Sequence, residues 1–178
     1  MAQVTHIALL RGVNLGGKNR LPMKTLAGLF AEVGCRDVQT YIQSGNVVFR
    51  AAPAVSKKIP AQIAKLIADR CGLKTPVVMR TADELRGVAE GNPFLGADPA
   101  TLHVAFLADL PKKAAVQALD AKRSPGDEFV VRGREIYLHL TSGVARTKLT
   151  NQYFDSKLST VSTVRNWRTV EKLLALAA

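Results

Sequence analysis

The residues best suited to chemistry lie in Ala8–Arg20, ALLRGVNLGGKNR. An apolar strand runs into a loop holding Gly12, Gly16 and Gly17, with Arg11, Asn14, Lys18 and Arg20 around them. Glycine lets a backbone turn sharply and lets a ligand approach the amides. Cations beside such amides favour an anion, phosphate above all. Gly12-x-x-x-x-Gly17-Lys18 matches the GxxxxGK spacing of a nucleotide-binding P-loop. Asn19, however, stands where Ser or Thr would ligate magnesium, and Pro22 delays the helix, so Lys18 stays in a loop. Asp109 after Phe106-Leu107-Ala108 imitates a Walker B strand but reads more simply as a helix N-cap. The chemistry expected is looser: a phosphate held by the amides of Gly16 and Gly17 with Lys18 or Arg20. The alternative is a tight strand-to-helix connection whose glycines only satisfy backbone torsions.

Two further groups of polar residues stand out. Gln43-Ser44-Gly45-Asn46 reads as a hairpin tip, where Ser44 and Asn46 can hydrogen-bond a ligand. A nucleophilic serine needs a base and an oxyanion hole, and neither is evident around Ser44. Near the C-terminus, Arg146, Lys148, Asn151, Arg165, Asn166, Trp167 and Arg168 combine cations that fork to phosphate with an indole that stacks on a base or anchors a core. Arg165 and Asn166 fall at an expected helix start, which welcomes anions. Arg11, Asn14, Lys18 and Arg20 are expected to face Lys148, Arg165 and Arg168 across a basic cleft. His6, His103 and His139 all fall on expected strands without a carboxylate or cysteine at ligand spacing, so no metal site is expected. No catalytic residue and no cofactor is assigned.

These groups need elements to position them. Val4–Leu10 reads as a buried strand, and Pro22 opens a helix with Leu26, Leu29, Phe30 and Val33 on one face. Val38–Gln43 and Asn46–Phe49 form a hairpin. Ser56 caps a second helix carrying Ile59, Ile63, Leu66 and Ile67, and Thr75–Arg80 is the next strand. Thr81-Ala82-Asp83-Glu84 has the form of a capping box. After Gly91–Thr101 the order restarts: strand Leu102–Leu107, a helix opened by Asp109 and Pro111, and the hairpin Glu128–Val131 with Glu135–Leu140. His6–Leu10 aligns with His103–Leu107, which implies an internal duplication. The second copy is expected to end differently, with a helix over Arg146–Leu158 and a last helix bearing Trp167, Val170 and Leu174. The order β-α-β-β-α-β is that of the ferredoxin-like unit. The expected fold is therefore α+β, two tandem ferredoxin-like halves with antiparallel sheets covered by helices. Their bounds are residues 1–91 and 102–178, with a linker at 92–101. An RNA-recognition sheet of the same topology needs aromatics on its first and third strands, and Asn46-Val47-Val48-Phe49 lacks them.

Composition narrows the class. The 178 residues are 47% hydrophobic, ordinary for a chain that buries a core, and the net charge of +11 allows a polyanionic partner. No apolar run approaches the roughly 18 residues that span a bilayer, and the N-terminus lacks the pattern of a signal peptide. Cys35 and Cys71 are expected to be reduced thiols in a cytoplasmic protein. The partner expected is a phosphorylated small molecule or nucleic acid, with no membrane and an unspecified oligomeric state.

LLRGVNLGGKNRLPM at Leu9–Met23 and TYIQSGNVVF at Thr40–Phe49 resemble the signature of the bacterial family catalogued as domain of unknown function 1697. TKLTNQYFDSKL at Thr147–Leu158 and TVRNWRTVEKL at Thr163–Leu173 are similar to its C-terminal signature, with Ser159 where the family usually has glycine. The resemblance implies an α+β fold of two ferredoxin-like halves. It implies no agreed activity, catalytic residue or cofactor. The leading expectation is a binding protein for a phosphate-bearing ligand. The alternatives are an enzyme on a small phosphorylated or nucleotide substrate, and a structural protein without a small ligand.

Overall fold

The computed structural model describes residues 2–178 and places them in two compact units. One comprises residues 2–86 with Leu173–Ala178, the other Gly87–Lys172. The division falls inside two helices, α4 (Ala82–Glu90) and α7 (Trp167–Ala177), not in the Gly91–Thr101 segment.

In the first unit β1 (Val4–Leu10) is central. It pairs antiparallel with β3 (Asn46–Ala51) and β4 (Val77–Thr81), and β2 (Arg36–Tyr41) adds outside β3, giving the order β2-β3-β1-β4. Helix α1 (Met23–Glu32) and helix α3 (Ile59–Cys71) cover one face. Ala8 and Leu10 of β1, with Val47 and Phe49 of β3, pack there against Leu26, Leu29 and Phe30 of α1 and Ile59, Ile63 and Ile67 of α3. Alternation along a strand sends Ile7 and Leu9 to the opposite face, and they too are fully buried. Continuous burial on both faces explains why Ile7–Leu10 reads as an unbroken apolar run.

Several expected caps differ in detail. Pro22 is the N-cap of α1, not its first turn. Lys58 is the N-cap of α3, while Ser56 ends a short helix α2 (Pro53–Ser56) and donates to the Pro53 carbonyl. Gly72 closes α3 in the left-handed conformation. The capping box is complete: the Thr81 amide donates to Glu84 Oε2 at 2.8 Å, and the Glu84 amide donates to Thr81 Oγ1 at 3.1 Å.

The second unit repeats the arrangement. β5 (Leu102–Leu107) pairs antiparallel with β7 (Glu135–His139) and β8 (Ser162–Asn166), and β6 (Glu128–Arg132) flanks β7, giving β6-β7-β5-β8. Helices α5 (Lys113–Gln117) and α6 (Asn151–Leu158) complete it. Three expectations differ from the structure. The second copy does not end differently: β8 takes the place of β4 and a helix follows each. Helix α6 begins at Asn151, because the Thr150 hydroxyl accepts from the Tyr153 amide and caps it, leaving 146–149 outside the helix. Asp109 caps no helix; it accepts from the Thr160 hydroxyl and its amide donates to the same oxygen. No helix among the described residues is long and apolar enough to cross a membrane.

Ser159 ends α6 at φ +52°, a left-handed conformation that a Cβ disfavours. Ser159→Gly is expected to raise stability by about 1 kcal/mol. Thermal unfolding checks this, with an expected rise of about 2–4 °C.

Candidate functional site

The glycine loop is a miniature β-hairpin. Leu15 and Lys18 form an antiparallel bridge, and the Lys18 amide donates to the Leu15 carbonyl at 2.8 Å. Between them Gly16 and Gly17 take φ +53° and +79°. Positive φ at both central positions defines a type I′ turn, the two-residue turn whose twist suits paired strands. The Asn14 amide continues the ladder to the Asn19 carbonyl at 2.9 Å. This is not a P-loop, because the Lys18 amide closes the turn and α1 starts only at Met23.

Asparagine side chains hold the hairpin. Asn14 Nδ2 donates to the Leu21 carbonyl at 2.9 Å and the Gln43 carbonyl at 2.7 Å, while its Oδ1 accepts from the Leu21 amide at 2.8 Å. Asn19 Nδ2 donates to the Gly12 carbonyl at 2.8 Å. Val13 and Leu21 anchor the base in the core. The second tip is bound to the first: the Leu10 amide donates to the Gly45 carbonyl, and Gly45 lies so close that an added Cβ would meet Leu10 Cβ and Val13 Cγ2 at 2.8 Å each.

The structure thereby sorts the expected ligand residues of the first unit. Asn14 is engaged internally. Asn46 is fully buried and donates to the Tyr41 carbonyl and Ser44 Oγ, so Ser44 and Asn46 build the tip. Arg11 is half-buried and its amide donates to the Pro76 carbonyl. Gly16, Gly17, Lys18 and Arg20 are exposed. Among the described residues neither glycine amide has a hydrogen-bond partner. Leu15 at the tip is 60% exposed, which sequence reasoning had not singled out.

In the second unit, Lys148 and Arg168 are exposed. The Lys148 amide donates to Ser124 Oγ and its carbonyl accepts from Arg123 Nε. Asn166 is the cap of α7, accepting from the Thr169 amide at 2.8 Å. Arg165 is a correction: it lies in β8, not at a helix start, and is buried. Its guanidinium donates to Thr163 Oγ1 and the Val164 carbonyl, and burial pushes it down to about 10. Trp167 is buried at the start of α7. Arg80 is the counterpart in the first unit, opposite Ile7 as Arg165 is opposite Val104, and donates to the Met79 carbonyl. The signal that could have revealed this pair is the alignment of Met79-Arg80-Thr81 with Val164-Arg165-Asn166, each followed by a helix.

The histidines occupy equivalent positions, His6 opposite Thr81 and His103 opposite Asn166. Burial lowers the pKa of His6, with Glu84 opposing, and lowers that of His103, with the Thr101 carbonyl opposing. No group of three His, Cys, Asp or Glu side chains among the described residues is placed to hold a metal ion. Cys35 is a buried free thiol that burial raises to about 11.

Asp127 is a buried carboxylate that accepts several hydrogen bonds. Burial pushes it up, but the Ser142 amide with the Ser142, Ser124 and Thr147 hydroxyls outweighs this and holds it at about 2. The folded chain therefore keeps this charge when the unfolded chain, with its ordinary value of 3.8, takes up a proton. Its stabilisation is present above about pH 4 and lost as pH falls toward 2, worth about 2 kcal/mol. The lowered histidines add a separate loss, because the unfolded imidazole binds its proton first as pH falls below about 6.5. Unfolding midpoints measured across pH are expected to fall in both windows. Asp127→Asn is expected to abolish the acid step and leave the histidine step.

A solved structure of a conserved bacterial protein from Streptococcus pneumoniae is similar over 99% of this chain and 100% of that one, with a TM-score of 0.75 and 19% sequence identity. That likeness supports the fold: mixed α/β with two four-stranded antiparallel sheets. No curated protein matches the sequence. Residues 4–137 match the family model described as "Protein of unknown function (DUF1697)". The match takes in both N-terminal motifs, while Thr147–Leu158 and Thr163–Leu173 lie beyond it. The hairpin that Asn14 and Gly45 lock together thus lies within the matched residues, and the chain belongs to the DUF1697 family.

Proposed function

We propose that the protein binds the phosphate backbone of a nucleic acid in the cytoplasm, through the hairpin tip Leu15–Arg20. The observation that carries this reading is that Lys18 and Arg20 stand exposed on a tip held in shape by the Lys18–Leu15 and Asn14–Asn19 backbone hydrogen bonds and the Asn19 side chain. A preorganised tip loses little conformational freedom on binding. The net charge of +11 favours a polyanion over a small phosphorylated molecule. Ordering the strands as β2-β3-β1-β4 and β6-β7-β5-β8 supports two ferredoxin-like halves, a scaffold that leaves such a tip projecting from a strand end.

Fluorescence anisotropy with a labelled 20-base-pair DNA duplex tests the reading. The double variant Lys18→Ala/Arg20→Ala is expected to bind at least about tenfold more weakly, from about 1.5 kcal/mol or more of lost charge-assisted contact. Its dependence on salt should flatten by about two counterions. Lys57→Ala/Lys58→Ala, which removes two exposed charges before α3, is the control and should retain most affinity. Equal binding by both double variants, or binding indifferent to salt, overturns the proposal.

A further inference from the structure

We infer that the tip reads the minor groove of duplex DNA at A·T-rich steps; this rests on the nucleic-acid reading above and names its substrate class. The tip's two leading residues, Gly16 and Gly17, carry no side chains, and their amides are exposed donors without partners among the described residues. The minor groove is only about 6 Å wide, so it admits a bare peptide edge more readily than a decorated one. Its floor at A·T and T·A pairs offers acceptors alone, adenine N3 and thymine O2, which complement backbone N–H groups. A G·C pair adds the guanine N2 amino group, a donor that opposes them.

The flanking residues fit the same surface. Leu15 and Lys18 are bridge partners, so they stand on one face of the ribbon beside the glycines. Leu15 is largely exposed although Val13 and Leu21 of the same loop are buried, so it is spare apolar surface at the tip. Proteins that enter the minor groove combine such apolar wedges with Lys or Arg, and narrow A·T tracts concentrate the negative potential that Lys18 and Arg20 would meet. The tip Leu15–Arg20 has no aromatic residue. Single strands are held by stacking on aromatics, so a duplex is favoured over an unpaired strand.

Three labelled probes of one length separate the cases: an A·T-rich duplex, a G·C-rich duplex and the single strand of the first. The A·T duplex is expected to bind about tenfold more tightly than either other probe, and a cationic polyamide that occupies the minor groove should displace the protein. Gly16→Asn keeps a type I′ turn, since Asn-Gly is a preferred pair for it, yet puts a side chain on the leading edge. Gly16→Asn and Leu15→Ala are each expected to erase most of the A·T preference while salt-sensitive binding persists. Equal affinity for all three probes, with Lys18→Ala/Arg20→Ala still weakened, overturns the minor-groove inference and leaves the nucleic-acid reading standing. Full binding by Lys18→Ala/Arg20→Ala, or no binding to any probe, overturns both.

Discussion

Gly45→Ala is expected to destabilise the protein by about 2–5 kcal/mol. Two penalties add at this position. The residue sits at φ +82°, which costs an alanine about 1–2 kcal/mol. The new Cβ would also fall 2.8 Å from Leu10 Cβ and Val13 Cγ2, and relieving that overlap costs about 1–3 kcal/mol more. Neither neighbour is free to yield. The contact on Leu10 is made by Cβ itself, and both residues belong to the buried core of the first unit. Gly72→Ala is the matched comparison, since Gly72 has φ +66° but open space around its missing Cβ. It should lose only the torsional part. Thermal unfolding reads the difference: a midpoint lowered by about 4–20 °C for Gly45→Ala, against about 2–8 °C for Gly72→Ala. Equal losses would show that the approach of the two tips contributes nothing.

Asn14→Ala is expected to cost about 3 kcal/mol and to weaken the proposed nucleic-acid binding without removing any charge. Its side chain makes three hydrogen bonds, two to Leu21 and one to the Gln43 carbonyl, each worth about 1 kcal/mol net. Asn14 also sits at φ +53°, where asparagine is tolerated better than alanine. Losing these bonds frees the hairpin from Leu21 and from the neighbouring tip. Lys18 and Arg20 then sample many positions, and binding must order them again. Asn14→Asp is the informative second variant, because it keeps the Leu21 amide bond while losing both donors. Urea unfolding and duplex anisotropy together check the claim. Full affinity in a destabilised Asn14→Ala would separate the clasp from the binding surface.

Much of the scaffold was legible because it is written in apolar periodicity. Val4–Leu10 and Leu102–Leu107 coincide with β1 and β5, and the stripe Ile59, Ile63 and Ile67 is the buried face of α3. The capping box at Thr81 was legible because both partners are local. β8 was not, since Ser162-Thr163-Val164-Arg165-Asn166 has one aliphatic residue and looks like a polar turn. Its strand character comes from pairing with β5, where Val164 lies opposite Ala105, far back in the chain and invisible to local pattern. The same holds for Arg80 and Arg165, whose residue type speaks for the surface while their register places them in a sheet. Around the candidate site, glycine spacing located the loop correctly. It could not distinguish a phosphate cradle from a type I′ turn, because both need glycines at positive φ. The roles of Asn14, Ser44 and Asn46 rest on carbonyls brought close by the fold.

The assignment of Leu173–Ala178 to the first unit bears on the order in which the chain becomes structured during synthesis. Domains generally fold as units as they emerge from the ribosome. The first sheet has all four strands once Thr81 is made, but Leu176, Ala177 and Ala178 line the same small cavity as Thr5, Val48 and Arg50. The nascent first unit therefore waits for residues some ninety positions downstream, and the whole second unit is translated in the interval. A release that stops at Lys172 would thus damage the part of the protein made first.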